Sequence, residues 1–318
     1  MNRNMKVRNF GLRSRNPTRA LITAYRLKGN GYGANETVKT ALAHFTEHIK
    51  EQFGIKDLRY IQREHVVSYA LSLNERFENG DISASTAQNY LSPVNVALEN
   101  ARLDNFCRVE GVRDVGLPTR TGIAKKDKSA SQAQHNYAVE HAPERLRAQL
   151  ELQRQLGLRF KESCLIDARE ALKQVGKYNK VTIENGTKGG RERDIPITSY
   201  HQFEALKRAA EIQACDRSLV PSNQTWAQYQ SQSYRNIKHI GIHFHQERHH
   251  YANTRYEEIV GCLSPVKSKI EHTKHIGHLA HELCITKTEA ALFDKKARQT
   301  IAEELGHSRI SITNNYLG

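Results

Sequence analysis

The last stretch of the 318-residue chain, Leu305-Gly306-His307-Ser308-Arg309-Ile310-Ser311-Ile312-Thr313-Asn314-Asn315-Tyr316, brings a histidine, an arginine and a tyrosine close together. Three other strings carry reactive side chains: Gly157-Leu158-Arg159-Phe160-Lys161-Glu162, Thr187-Lys188-Gly189-Gly190 and His245-Gln246-Glu247-Arg248-His249. A phenol with a pKa near ~10 is a poor nucleophile at neutral pH. Against an anionic ester it needs cations and hydrogen-bond donors aimed at the charge that develops, and a proton for the leaving oxygen. A metal ion could supply the charge, and so could two arginines, whose planar forks suit phosphate. Taken singly, each string has a plain reading: a helical ion pair, a hairpin turn, a histidine-rich helix, a surface aromatic.

In chain order the strings resemble the motifs of the tyrosine recombinases, the phage integrase family. The terminal string matches L-G-H-S-x-I-x-x-T-x-x-Y, and Gly157 to Glu162 matches the first arginine box, G-L-R-x-x-E. The stretch from Thr187 to Ile197 resembles the family's hairpin, and His245 to Ala252 resembles the second box, H-x-L-R-H-x-x-A. The resemblance implies roles. Tyr316 is the nucleophile, Arg159 and Arg248 clamp the phosphate, and Lys188 protonates the leaving 5′-oxygen. His245 handles a proton or donates a hydrogen bond, and His307 is a further phosphate donor. Glu162 braces Arg159, and His249 is structural.

The implied activity is site-specific recombination through a 3′-phosphotyrosyl intermediate, integrating or excising a mobile element, with no metal and no cofactor. Implied partners are double-stranded DNA bearing core sites and further copies of the chain, a tetramer on synapsed DNA and a monomer when free. A DNA-bending accessory protein is a candidate partner. Two other readings stay open: a DNA-relaxing or hairpin-forming strand transferase, and an inactive DNA-binding accessory protein on the same scaffold.

Some features depart from the family pattern. Glu247 stands where leucine is usual, and 59 positions separate Arg248 from His307, more than twice the usual span. The surplus lies at about 261–294, where His272, His275, His278 and His281 recur every third residue. Three-residue steps drift by about 60° around an α-helix, so the four cannot share one tetrahedral metal ion without a 3₁₀ or broken geometry. We expect an amphipathic inserted helix with a polar histidine face. Only Leu317 and Gly318 follow the tyrosine, so the insertion is expected to replace the usual tail as the link between protomers.

The elements that must position these residues are mostly helical. Val38, Leu42, Phe45, Ile49 and Phe53 form one apolar stripe from Glu36 onward. A second helix is expected over 64–77 with Val66, Val67, Ala70 and Leu71 inward, and a third after Ser83, with Tyr90, Leu91, Val94, Val96, Ala97 and Leu98 as core and a kink at Pro93. This makes 36–116 an all-α bundle, similar to the family's core-binding domain. Val181-Thr182-Ile183 and Arg193-Asp194-Ile195-Pro196-Ile197 flank a glycine-rich turn and predict a hairpin. The fold class is therefore mainly α with a small antiparallel sheet, and 136–318 is the α+β catalytic domain. Residues 117–135 read as a linker and 1–35 as a basic arm with a flexible glycine-rich end.

The composition gives a formal net charge of +14 and a pI of about 9.6, which favours a polyanionic partner. Candidate DNA-backbone contacts are Arg3, Lys6, Arg8, Arg13 and Arg15 in the arm, Lys125, Lys126 and Lys128 in the linker, and Arg191 and Arg193 on the hairpin. No apolar run reaches membrane-spanning length and the N-terminus lacks a signal-peptide core, so a cytoplasmic, nucleoid-associated protein of bacterial or phage origin is expected. The five scattered cysteines read as reduced, mostly core, thiols.

Overall fold

Residues 3–27 and 35–318 are described by the computed structural model. Lys28, Gly29, Gly31 and Gly33 of the expected arm lie outside the described residues. The chain divides between Thr121 and Gly122 into two units, each with its own core. Among the described residues no helix is long and apolar enough to cross a membrane.

In the first unit the stripe of Val38, Leu42, Phe45 and Ile49 becomes α2 (Asn35–Phe53), whose steps of three and four align these residues on the core side. Phe53, at the last turn, stays 43% exposed. α3 (Arg63–Glu78) turns Val66, Tyr69, Ala70 and Leu73 inward, while Leu71 is 51% exposed, one residue off the stripe. α4 (Ala84–Arg102) starts at Ser83, whose hydroxyl accepts from the Thr86 amide, and continues through Pro93. A short α5 (Gly111–Val115) follows.

The basic arm needs correction. Asn16 caps, and Pro17 opens, a further helix, α1 (Pro17–Arg26), packed on α2 and α4. Ala20, Leu21 and Ala24 are fully buried while Arg19 and Arg26 face outward. The charge sits on the solvent face of a core helix. Asn9 pins the preceding turn by donating to the Ser14 carbonyl and accepting from the Leu58 amide.

The second unit is helical around one hairpin. α6 (Gln132–His141), α7 (Glu144–Leu156), α8 (Phe160–Leu165) and α9 (Ala168–Tyr178) lead to β1 (Lys180–Ile183) and β2 (Arg193–Pro196), which pair antiparallel with Val181 opposite Ile195 and Ile183 opposite Arg193. α10 (Tyr200–Gln213), α11 (Trp226–Ile240) and α12 (Phe244–Val260) follow. Then come α13 (Pro265–Ser268), α14 (His275–Glu282), α15 (Lys287–Glu304) and the one-turn α16 (Asn314–Leu317).

The expected linker is no plain tether. Leu117 is buried in the first core, while Ala124 and Ala130 donate from their amides to the carbonyls of Asn314 and Gln246. Of the cysteines, only Cys107 and Cys164 are buried.

Candidate active site

The first box lies at the junction of α7 and α8. Gly157 takes a left-handed φ of +61°, and a β-carbon there would meet the Tyr251 ring at 2.5 Å. Only glycine fits, and the tight turn makes Arg159 the N-cap of α8. Glu162, three residues on, closes a capping box by accepting from the Arg159 amide at 2.7 Å, and its Oε1 accepts from Arg159 Nη1 at 2.6 Å.

Glu162 is fully buried and serves more than one arginine. Arg193 forks onto it, Nη1 to Oε1 at 2.9 Å and Nη2 to Oε2 at 2.6 Å, and Arg248 Nη1 stands 3.8 Å from Oε2. Burial alone would raise this carboxyl; Arg193 and Arg159 overcome that and hold it down at about 2. One carboxylate thus faces three guanidiniums and offsets part of their charge. Arg193, expected to contact DNA, is instead 7% exposed, and its Nε donates to the Glu304 carbonyl at 2.7 Å. The alternation of β2 explains this: Arg193 shares a face with Ile195 and is carried inward with it.

α12 carries the second box. Arg248 is completely buried, and its donors are taken up by the carbonyls of Gly157 and Leu305, by His307 Nε2 at 3.4 Å and by the Tyr316 hydroxyl, to which Nε donates at 3.3 Å. Arg159 Nη2 also donates to the Leu305 carbonyl, at 3.3 Å. Two like-charged side chains therefore converge on one carbonyl dipole beside the tyrosine.

Tyr316 is 5% exposed, with its ring 4.7 Å from that of His249, 5.6 Å from His245 and 5.7 Å from His307. His245 lies one turn before His249 on α12, while His307 follows α15 in the turn made by Gly306. Desolvation first, and then the charges of Arg248 and Arg159, hold His245 at about 4 and His307 at about 3; desolvation likewise holds His249 at about 4. The lowered values favour the neutral form of these rings, which can both donate and accept one hydrogen bond. His243, the N-cap of α12, is exposed and outside the cluster.

The expected lysines and the hairpin arginine Arg191 stand at the surface. Lys188 is exposed on the hairpin turn and makes no hydrogen bond or ion pair with the cluster. Lys125, Lys126 and Arg191 are also exposed. Lys128 is near enough for its charge to help depress His245 and His249. In the first unit Lys6, Arg8, Arg13 and Arg15 are exposed, whereas Arg3 donates to the Asn100 carbonyl at 2.7 Å.

Glu247, the unusual residue before Arg248, is fully buried and paired. Its Oε2 accepts from Arg154 Nη1 at 2.6 Å and its Oε1 meets His135 Nδ1 at 2.9 Å. A carboxylate replaces leucine because α7 and α6 supply its partners, and the set ties both helices to the one bearing Arg248. No local spacing announces it, since Arg154 lies 93 positions away.

The surplus segment is helical, but its histidines share no face. His275 is 1% exposed, His278 intermediate and His281 exposed. Among the described residues no three His, Cys, Asp or Glu side chains group closely enough to hold a metal ion.

A family model described as Integrase matches residues 118–256, which include both arginine boxes and the hairpin. Over this stretch the chain is similar to the integrase family. The fold around it is similar to that of solved tyrosine recombinases. A lambda integrase dimer bound to a COC′ core site aligns with TM-score 0.53 and 15% identity, covering 86% of this chain and 76% of that one. XerH site-specific recombinase bound to a palindromic difH substrate aligns with TM-score 0.52 and 15% identity, covering 95% and 81%. The Tn1549 transposon integrase in complex with transposon right end DNA aligns with TM-score 0.53 and 13% identity, covering 94% of each chain. No curated protein sequence matches the chain.

Proposed function

We propose that this chain is a site-specific DNA recombinase of the integrase family, with Tyr316 as its nucleophile. The observation that carries the reading is the placement of the Tyr316 hydroxyl on Arg248 Nε, ringed by three neutral imidazoles, beside a second guanidinium. The hydroxyl oxygen attacks phosphorus and its proton passes to a neutral imidazole, His245. The bond from phosphorus to the 5′-oxygen breaks, leaving a 3′-phosphotyrosine and a 5′-hydroxyl. A 5′-hydroxyl of a partner duplex then attacks the phosphotyrosine, so the ester count is unchanged.

Arg159, Arg248 and His307 stabilise the phosphorane charge, and Lys188 gives the leaving oxygen its proton. Lys188 can do so only if the hairpin turn folds onto bound DNA. Arg248 must likewise exchange a present partner for a phosphate oxygen, and the phenol is the one that moves along the reaction path. Glu162 and Glu247 position the arginine-bearing elements. Lys125, Lys126, Lys128 and Arg191, with Lys6, Arg8, Arg13 and Arg15 in the first unit, contact the DNA backbone, and the first unit acts as the core-binding domain. The synapse is a tetramer in the cytoplasm.

The test uses a pool of nicked duplexes of random sequence, in which loss of the short strand after cleavage traps the adduct. The wild-type chain is expected to form SDS-stable adducts and enrich one sequence. Tyr316→Phe is expected to bind that duplex and form none. An adduct from Tyr316→Phe would falsify the assignment.

A further inference from the structure

α16, which bears Tyr316, is a single turn of four residues. Such a turn does not hold itself in water, so its place must come from its neighbours. Arg298 of α15 reaches it at two points. It is 5% exposed, donates from Nη1 to Asn314 Oδ1 at 2.9 Å and from Nη2 to the Gly318 carbonyl at 3.1 Å, and so grips α16 on both sides of the tyrosine.

Arg298 is itself fixed. Its Nε meets both carboxylate oxygens of Asp294 at 2.9 Å, and its guanidinium carbon lies 5.9 Å from the centre of the Tyr256 ring. The Tyr256 hydroxyl donates to Asp294 Oδ1 at 2.6 Å and meets the buried His275 Nε2 at 2.8 Å. The chain runs from the inserted helix α14, through Tyr256 of α12, to Asp294, Arg298 and the turn under Tyr316. On the other flank Asn253 Nδ2 donates to the Tyr316 carbonyl at 3.3 Å and Ser264 Oγ donates to Asn253 Oδ1, while a β-carbon on Gly318 would meet the Val266 amide nitrogen at 3.1 Å.

We infer that Arg298 is a positioning residue for Tyr316, and that the surplus segment 261–294 supplies the anchorage that makes it one. The inference rests on Tyr316 being the nucleophile. Arg298 touches no reacting atom. It sets where the phenol oxygen stands relative to the chain's own Arg248, and a displacement of about 1 Å there costs up to ~10²-fold in rate. Asp294 and Tyr256 act one step further back.

The experiment measures single-turnover adduct formation at saturating protein on the duplex enriched by the wild-type chain, and equilibrium binding to the same duplex. Arg298→Met keeps the aliphatic stem and removes the grip. It is expected to slow adduct formation by ~10-fold to ~10²-fold, with binding changed less than about twofold. Asn314→Ala, which removes only the side-chain acceptor, is expected to slow it by several-fold and decides the matter if Arg298→Met does not fold.

A duplex with sulfur at the 5′-bridging position separates this role from leaving-group catalysis. The thiolate leaves without a proton, so a Lys188→Ala defect is relieved while an Arg298→Met defect persists. A wild-type rate in a folded Arg298→Met or in Asn314→Ala, a loss matched by an equal loss of binding, or full relief by sulfur would each overturn the inference. An adduct in the Tyr316→Phe control would instead overturn the reading beneath it.

Discussion

Replacing Glu162 by glutamine tests how the site tolerates three guanidiniums in a buried space. The side chain is fully buried and accepts from Arg159 and Arg193, with Arg248 3.8 Å away. Its carboxyl sits at about 2 instead of 4.5. At ~1.4 kcal/mol for each pH unit, ionisation in the folded state is favoured by ~3 kcal/mol. Breaking a buried ion pair from one side costs ~3–5 kcal/mol, which agrees. Glutamine keeps the shape and one acceptor, so the low end is expected. For a unit of this size ~3 kcal/mol lowers the melting temperature by ~6–12 °C.

The sign follows from the depressed value. The stabilisation is complete above pH ~4.5 and is lost as pH falls toward ~2. Melting curves of wild type and Glu162→Gln, recorded by calorimetry from pH 7 down to pH 3, should therefore converge toward the acid end. A drop below about 2 °C at pH 7, or a difference that does not shrink with acid, would refute the claim that the ionised carboxylate stabilises the arginine cluster.

Other expectations follow from the same geometry. Lys188→Ala should bind DNA normally, cleave ~10²–10⁴-fold more slowly, and recover on a 5′-bridging phosphorothiolate; an unrelieved defect would remove Lys188 as the acid. Glu247→Leu should destabilise by ~3–5 kcal/mol because it strands Arg154, whereas Glu247→Leu with Arg154→Leu should regain most of that; additive losses in urea unfolding would contradict the pairing. His245, His249, His275 and His307 are held at about 4, 4, 4 and 3, below the ordinary 6.5. The unfolded chain binds more protons between those values, so stability should fall as pH drops from ~7 toward ~4, and a flat profile would contradict the lowered values.

Much of this was legible in the sequence where local spacing and burial agree. Val38, Leu42, Phe45 and Ile49 form the stripe that their spacing predicts, and the hairpin pairs Val181 with Ile195 across the expected turn. Composition misled in the arm. Arginines at 19 and 26 hid the Ala20, Leu21 and Ala24 pattern, although the periodicity was present. Arg193 looks like a surface cation in the sequence because its partner Glu162 is 31 positions away, yet its alternation with Ile195 already points inward. Glu247 and His275 could not be placed from spacing, since each is a buried polar group whose partners come from other helices. Regular three-residue spacing suggested one histidine face, but in the folded segment His275 joins the core while His281 faces solvent.

The central claim concerns one bond. The trapped adduct, digested with protease and nuclease and read by tandem mass spectrometry, should carry its nucleotide on Tyr316, joined through a 3′-phosphate, with a free 5′-hydroxyl on the released strand. A nucleotide on any other residue, or a 5′-phosphate on the released strand, would contradict the account.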